Sequence, residues 1–307
     1  MKKLLLASAV AAVLAAPMAQ VACAADAAPA SPHTFTGNVG LFNQYIFRGL
    51  TQTNEKAALQ GGFDYSHSSG FYLGTWGSNI SWYTDQNMGT PKGTAPGPVS
   101  LGSPGGAGAP FAANQFNTAS LEWDFYGGYK GSFANDISYD LGALKYYYPG
   151  KYENLATLMS KPDTLEFYGS LGWKWFTMKY SQATSDTFGV KNSKGSNYLD
   201  LSATIPLGES GFTLGLHYGK QTYKGTSPVL AFGFGAATTL NNNVFSYSDY
   251  KIGVTKDWMG ATWSLAATST NAKKQVTNNA VTGDIYQNVY GTNIGKGQLT
   301  LGVQKTF

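Results

Sequence analysis

Apolar and polar residues alternate with a period of two along most of this chain, and the last stretch shows the pattern most plainly. Over residues 297–307 the odd positions carry Leu299, Leu301, Val303 and Phe307, while Gln298, Thr300, Gln304 and Thr306 fill even ones. Successive strand side chains point to opposite faces, so this reads as a strand with one apolar and one small-polar face. Lys305 interrupts the apolar face once. Residues 35–47 repeat the pattern, with Phe35, Val39, Leu41, Tyr45 and Phe47 set against Thr36, Asn38, Gln44 and Arg48. Ten further segments follow at 57–66, 71–82, 116–129, 136–148, 164–173, 176–181, 199–205, 212–218, 250–255 and 263–268. Segment 71–82 is aromatic on both parities (Phe71, Tyr72, Trp76, Trp82), which leaves its facing open. Lys145 falls on the apolar parity of its segment, where it reaches lipid phosphates or marks a bulge.

Twelve segments is an even number, and their lengths scatter around the ~9–11 residues that a tilted membrane strand needs. Their connections alternate in length. Short ones start near residues 68, 130, 174, 208 and 257, and longer ones near 49, 83, 149, 185, 220 and 271. A soluble sandwich strand matches any one segment equally well, but a sandwich has no reason to sort its loops this way. The sorting predicts an all-β fold: a transmembrane antiparallel up-and-down β-barrel of about twelve strands, with short periplasmic turns and long extracellular loops. The connection over 83–115 holds Pro91, Pro96, Pro98, Pro104 and Pro110 among many glycines, which rules out a continuous strand. So long a loop counts against a soluble domain and is ordinary in such a barrel. The closing strand is expected to pair antiparallel with 35–47, turning Leu299, Leu301, Val303 and Phe307 to lipid.

Composition supports this. Charged residues make up 12% of the chain, about half the usual share, yet there are 20 tyrosines and 17 phenylalanines. A barrel needs apolar residues only at alternate positions and rings its interfaces with aromatics. After residue 25 no apolar run reaches helical spanning length, so a spanning structure must be a closed barrel.

Before residue 25 lies a different signal. Lys2 and Lys3 precede an apolar run over 4–16, and Ala22-Cys23-Ala24 or Cys23-Ala24-Ala25 offers a small-residue cleavage site. Residues 1–25 thus read as a secretory signal peptide; the run is too short for a membrane anchor. Cys23 raises a lipoprotein alternative, against which Gln20 stands where an apolar residue is expected. Cleavage near Ala25 removes the single cysteine, and with it disulfides and thiol chemistry. Residues 26–33 are then an Ala/Pro-rich periplasmic lead-in and 34–307 the barrel. Of 21 basic residues, losing Lys2 and Lys3 leaves 19 against 17 acidic ones, a net charge of about +2. No nucleic-acid signature appears.

Several stretches resemble the TorF family of proteobacterial outer-membrane proteins, which are classed as porins without an assigned cargo. They are NVGLFNQYIFRGLTQT (38–53), ALQGGFDYSHSSGFYLGTWGSNISW (58–82), DFYGGYKGSFANDISYDLGALKYYYPG (124–150) and TLEFYGSLGW (164–173). The resemblance covers most of the chain after residue 25 and is densest before residue 175. It implies secretion to the periplasm and residence in the cell outer membrane. The partners that follow are outer-membrane lipid and lipopolysaccharide, the barrel-assembly machinery through the C-terminal strand, and small hydrophilic solutes. It supplies no catalytic or binding residues, and oligomeric state stays open.

If the apolar parity faces lipid, Arg48, Asp64, Glu122, Asp124, Asp140, Glu166, Lys179, Asp200, His217 and Lys251 point inward. A charge on the lipid face costs roughly 2–4 kcal/mol at mid-bilayer for Lys or Arg, so their parity agrees with a polar lumen. These residues are the candidate pore lining of a passive channel, with acidic residues in excess and a lean towards cations. The alternative is that they pair with one another in a non-conducting structural barrel. An adhesin-type barrel binding through loops 83–115 and 220–248 is a further reading. For Arg48 the choice is between a constriction residue and a tie between a loop and a carboxylate.

An enzyme is not expected. The chain has three histidines, His33, His67 and His217, and no Gly-x-Ser-x-Gly elbow. Ser66-His67-Ser68 sets hydroxyls beside an imidazole, but adjacent strand residues face opposite ways. No His/Cys cluster suggests a metal, and no cofactor is expected.

Overall fold

A computed structural model describes residues 31–87, 118–133, 136–152, 160–228, 238–240, 245–272, 276–278, 281–283, 286 and 292–307. The expected signal peptide lies outside the described residues, as do most of the lead-in, most of loop 83–115 and much of loop 220–248. Within the described residues, alternation of apolar and polar positions folds into the twelve strands of a closed barrel, beside three short two-stranded sheets. The barrel strands are β1 (His33–Phe42), β2 (Ala58–His67), β3 (Phe71–Asn79), β4 (Leu121–Ser132), β5 (Ile137–Tyr147) and β6 (Thr164–Trp173). They continue as β7 (Phe176–Ala183), β8 (Asn197–Pro206), β9 (Phe212–Thr222), β10 (Tyr247–Trp258), β11 (Ala261–Thr270) and β12 (Gln298–Thr306).

Each strand pairs antiparallel with its neighbours in sequence, and β12 returns to β1 to close the ring. The closing register runs from Asn38 opposite Thr306 to Phe42 opposite Gly302. Closure leaves no sheet edge, which hydrocarbon would leave unsatisfied. Leu299, Leu301 and Phe307 are exposed on the outer wall, with Val303 half-buried among them.

The two faces differ sharply. Phe35 (76% exposed), Phe63 and Leu141 stand on the outside, whereas Glu122 and Glu166 (1% each) lie inside. On β3 the question left by its aromatics is settled: Phe71 and Leu73 face out, while Tyr72 is buried inside. Trp173, Trp175, Phe176, Phe212 and Trp258 are exposed around the end that carries the short turns. That is an aromatic girdle at one interface. One of the two-residue turns, Met259-Gly260, joins β10 to β11 with both φ angles positive (53° and 74°). Such a two-residue turn matches the strands' own twist.

Inside, tyrosines lie across glycines of the adjacent strand. Tyr72 is paired with Gly128, and Tyr168 with Gly142. A Cβ on Gly142 would sit 2.5 Å from the Tyr168 hydroxyl, and one on Gly128 2.7 Å from that of Tyr72. The glycines therefore make room for rings to lie flat against the inner wall.

Strand boundaries differ from the sequence pattern in several places, among them the end of β9, which runs on to Thr222. His33, read as lead-in, opens β1. The segment 35–47 leaves the sheet after Phe42, so Tyr45 and Phe47 do not continue its lipid face. Strand β10 starts at Tyr247, which brings Ser248 out of the expected loop, and Asp249 from its edge, into the wall.

Leu141 is 61% exposed midway along β5. Leu141→Arg is expected to destabilise the barrel in phospholipid bilayers by about 2–4 kcal/mol, measured by reversible urea unfolding in liposomes.

Candidate functional site: a hairpin across the barrel lumen

The first long connection turns inward because side chains take over the backbone ladder where β1 ends. The Asn43 amide nitrogen donates to the Leu299 carbonyl (3.2 Å), and its side-chain oxygen accepts from the Leu301 N–H (2.8 Å). Gln44 also donates to the Leu299 carbonyl (2.9 Å). With the β12 groups thus satisfied, the backbone is free to depart. It forms a miniature hairpin in which Ile46 pairs with Thr51 and Phe47 with Leu50. The two residues between, Arg48 (φ 45°) and Gly49 (φ 80°), are both left-handed, as a type I′ turn requires. Gly49 suits this conformation; Arg48 adopts it at a cost that its contacts must offset.

Those contacts reach several strands. Arg48 donates from Nη1 to Glu166 Oε1 (3.0 Å) and from Nη2 to Glu166 Oε2 (2.7 Å), a two-pronged ion pair to β6. Nη1 also donates to Gln221 Oε1 on β9 (2.7 Å), and Nη2 to the Tyr146 hydroxyl on β5 (3.4 Å). The guanidinium lies 4.2 Å from the ring centre of Tyr198 on β8 and 5.4 Å from that of Phe188. Burial alone would lower the Arg48 pKa; the adjoining Glu166 carboxylate outweighs it and holds the group above its ordinary value. At the tip, a Cβ on Gly49 would lie 2.6 Å from the Asp249 Cβ on β10 and would also strike Thr270 on β11. At the hairpin's root, the Tyr45 hydroxyl donates to Glu122 on β4 (2.6 Å), which also accepts from Tyr148 (2.8 Å). The hairpin therefore spans the lumen from β1 to the far wall.

Two aromatic clusters hold it there. Tyr45 and Phe47 pack with Trp76, Tyr146, Tyr148 and Phe188, while Leu50 packs on Tyr223, Phe245, Tyr247 and Tyr286. The hairpin is wedged between them at the long-loop end.

Further along the inner wall is a second charged group. His217 faces Asp249 through Nε2 (2.8 Å) and Asp200 through Nδ1 (3.3 Å), and the Tyr198 hydroxyl donates to Asp249 (2.9 Å). Ser202 is 3.4 Å from the same Nδ1 and hydrogen-bonds Asp200. A Ser–His–Asp order is thus present in space, but both imidazole nitrogens face carboxylates. Neither is left to serve as base towards the hydroxyl. A third group joins Tyr72 to Asp140 (2.7 Å) and to Tyr168, over whose ring Lys179 lies at 3.8 Å. Tyr126 donates to Asp64 (2.6 Å).

All ten charged residues singled out in the sequence lie on the inward side. Nine are on strands, Lys251 half-buried on β10 and Asp124 buried beside Glu122 on β4. Arg48 alone comes from a loop. Sequence reasoning missed Asp249, which falls at the edge of a presumed loop, and Gln221 and Tyr45, which bind the charged groups. Only the glycine after Arg48 and the Asn43-Gln44 pair before it hint at a turn there.

The described residues thus form a closed barrel of the membrane-spanning class, apolar outside and charged within. The chain belongs to the family described as "Bacterial protein of unknown function (Gcw_chp)", whose model matches residues 26–307. No curated protein matches the chain. Among solved structures it is similar to a KdgM porin, at 8% identity and a TM-score of 0.45 over 89% of this chain and 99% of that one. It is also similar to OmpT of Vibrio cholerae, at 11% identity and a TM-score of 0.36 over 90% of this chain and 97% of that one. OprD of Pseudomonas aeruginosa matches at 11% identity and 0.36, over 89% of this chain and 65% of its own.

Gly49→Ala is expected to dislodge the hairpin, since it adds both backbone strain and a clash with the far wall. Hydrogen exchange should speed up at the amides of 46–52 while those of β4–β6 keep their protection.

Proposed function

We propose that this protein is an outer-membrane channel for passive diffusion of small hydrophilic solutes, narrowed at its long-loop end by the Arg48 hairpin. The observation that carries this reading is the pairing of an apolar outer wall with an inner wall lined by titratable side chains. A barrel of about eight strands is filled by its own side chains, and one of sixteen or more leaves an open channel. Twelve strands fall between, so a modest insertion such as the hairpin sets the opening. Asp64, Glu122, Asp124, Asp140, Glu166, Asp200 and Asp249 face Arg48, Lys130, Lys179, His217 and Lys251 across this interior. Excess carboxylate favours cations.

The protein acts without a catalytic centre on this reading, because the Ser202–His217 pair is committed to carboxylates. Its outer wall meets membrane lipid and lipopolysaccharide, with the short turns on the periplasmic side and β12 the strand engaged by the assembly machinery. The resemblance to TorF-family barrels points the same way.

Planar-bilayer recording on the refolded protein tests this. Discrete conductance steps with a cation-favouring reversal potential are expected, and Glu122→Gln with Asp124→Asn should move that potential towards zero. A silent protein would leave the second reading, a non-conducting barrel whose hairpin and aromatic clusters seal the mouth and whose loops bind partners.

A further inference from the structure

The hydrogen-bond partners of Arg48 and the nearest ring over it, that of Tyr198, belong to the wall, while Phe47 of the hairpin adds a second ring at 4.9 Å. Glu166 comes from β6, Gln221 from β9, Tyr198 from β8 and Tyr146 from β5. If the hairpin swung out, these groups would remain in place, because the sheet fixes their backbones and further bonds fix some of their side chains. Gln221 donates its amide nitrogen to the Asn197 carbonyl (3.2 Å), which aims its oxygen at the cation. Tyr198 is held by Asp249.

The shape of this receptor is specific. A carboxylate takes both prongs of the guanidinium fork, an amide oxygen takes another N–H of the same plane, and the Tyr198 ring covers its face. An ammonium ion has no flat face for the ring and no fork for the carboxylate. The occupant, by contrast, is held on a strained backbone, although its hairpin also packs between two aromatic clusters. It sits in the left-handed region on a turn closed by two residue pairs, and Glu166 and Arg48 are almost wholly shielded (2% and 7% exposed side chains). Taking the arginine away would strip a buried carboxylate of its ion-pair partner and leave only the more distant charge of Lys179 on the adjacent strand, which is unfavourable and creates demand for another cation.

We propose that this pocket is a guanidinium-binding site of the channel wall, and that Arg48 fills it as a built-in stand-in for a solute bearing a guanidinium group. Such a solute competes with Arg48, releases the hairpin and opens the lumen to its own passage. The solute half of this inference rests on the channel reading above; the binding site does not.

The test uses the refolded full-length barrel with guanidinium chloride and L-arginine as probes. Arg48→Gly suits the positive φ at this position and empties the pocket. Calorimetry should show guanidinium binding to this variant at least about tenfold more tightly than to wild type or to Arg48→Gly/Glu166→Gln, with ammonium chloride unable to replace it. Equal affinity in the single and double variants, or equal binding of ammonium, would overturn the site. In planar bilayers Arg48→Gly should conduct more than wild type, and guanidinium should raise the conductance of wild type but not of the variant; no rise in wild type would overturn the solute half. Silence of both proteins would overturn the solute half while calorimetry still decides the pocket. Should the glycine variant fail to refold, Arg48→Lys keeps a cation beside Glu166. Guanidinium is then expected to bind above the wild-type level, and binding no better than wild type would count against the proposal.

Discussion

Hydrocarbon offers no hydrogen-bond partner to a backbone amide, and the rest of this structure depends on that constraint. Twelve strands satisfy it only because β12 pairs with β1; an open sheet of the same strands would expose two unsatisfied edges. Closure also fixes which residues are outside. Once the ring exists, every strand must turn Phe, Leu or Trp to lipid and its charges inward, so the wall carries information about both solvents at once.

Closing a ring of twelve strands leaves an interior between that of a filled eight-strand barrel and that of an open sixteen-strand one. The structure narrows this interior with two devices. Along the wall, Tyr72 and Tyr168 lie flat over Gly128 and Gly142, thickening the lining without crowding the opposite strands. At the long-loop end the Arg48 hairpin crosses the space and is tied to several strands. Its ion pair to Glu166 is paid for by desolvation, so its value lies in fixing the hairpin's position more than in adding stability.

Much of the wall was legible in the chain itself. The parity of Asp64, Glu122, Asp140, Glu166 and Asp200 against their apolar neighbours follows from the period of two, and the structure places all five inside. Where the period failed, it failed for identifiable reasons. Tyr45 and Phe47 continue the alternation of Phe35–Val39–Leu41, but a pattern of apolar residues cannot tell lipid from an aromatic cluster inside the lumen. The difference lies in Asn43 and Gln44, whose side chains satisfy β12 and let the chain leave. Asp249 was lost for the opposite reason, since a Ser- and Asn-containing approach to β10 looks like loop until its partners on β9 are seen.

The sequence by itself determined the class of fold, the strand count, the sorting of loops and the sign of most faces, with that of β3 left to the structure. Those properties are local or additive: one residue's parity, one turn's length, repeated twelve times. Only the tertiary structure decided which charges meet. Arg48 and Glu166 are 118 residues apart, and Arg48 and Gln221 173 apart, so nothing in their neighbourhoods announces the contact. Their meeting depends on ring closure, which brings β6 and β9 within reach of a loop that follows β1, and on a two-residue turn that points one arginine at them.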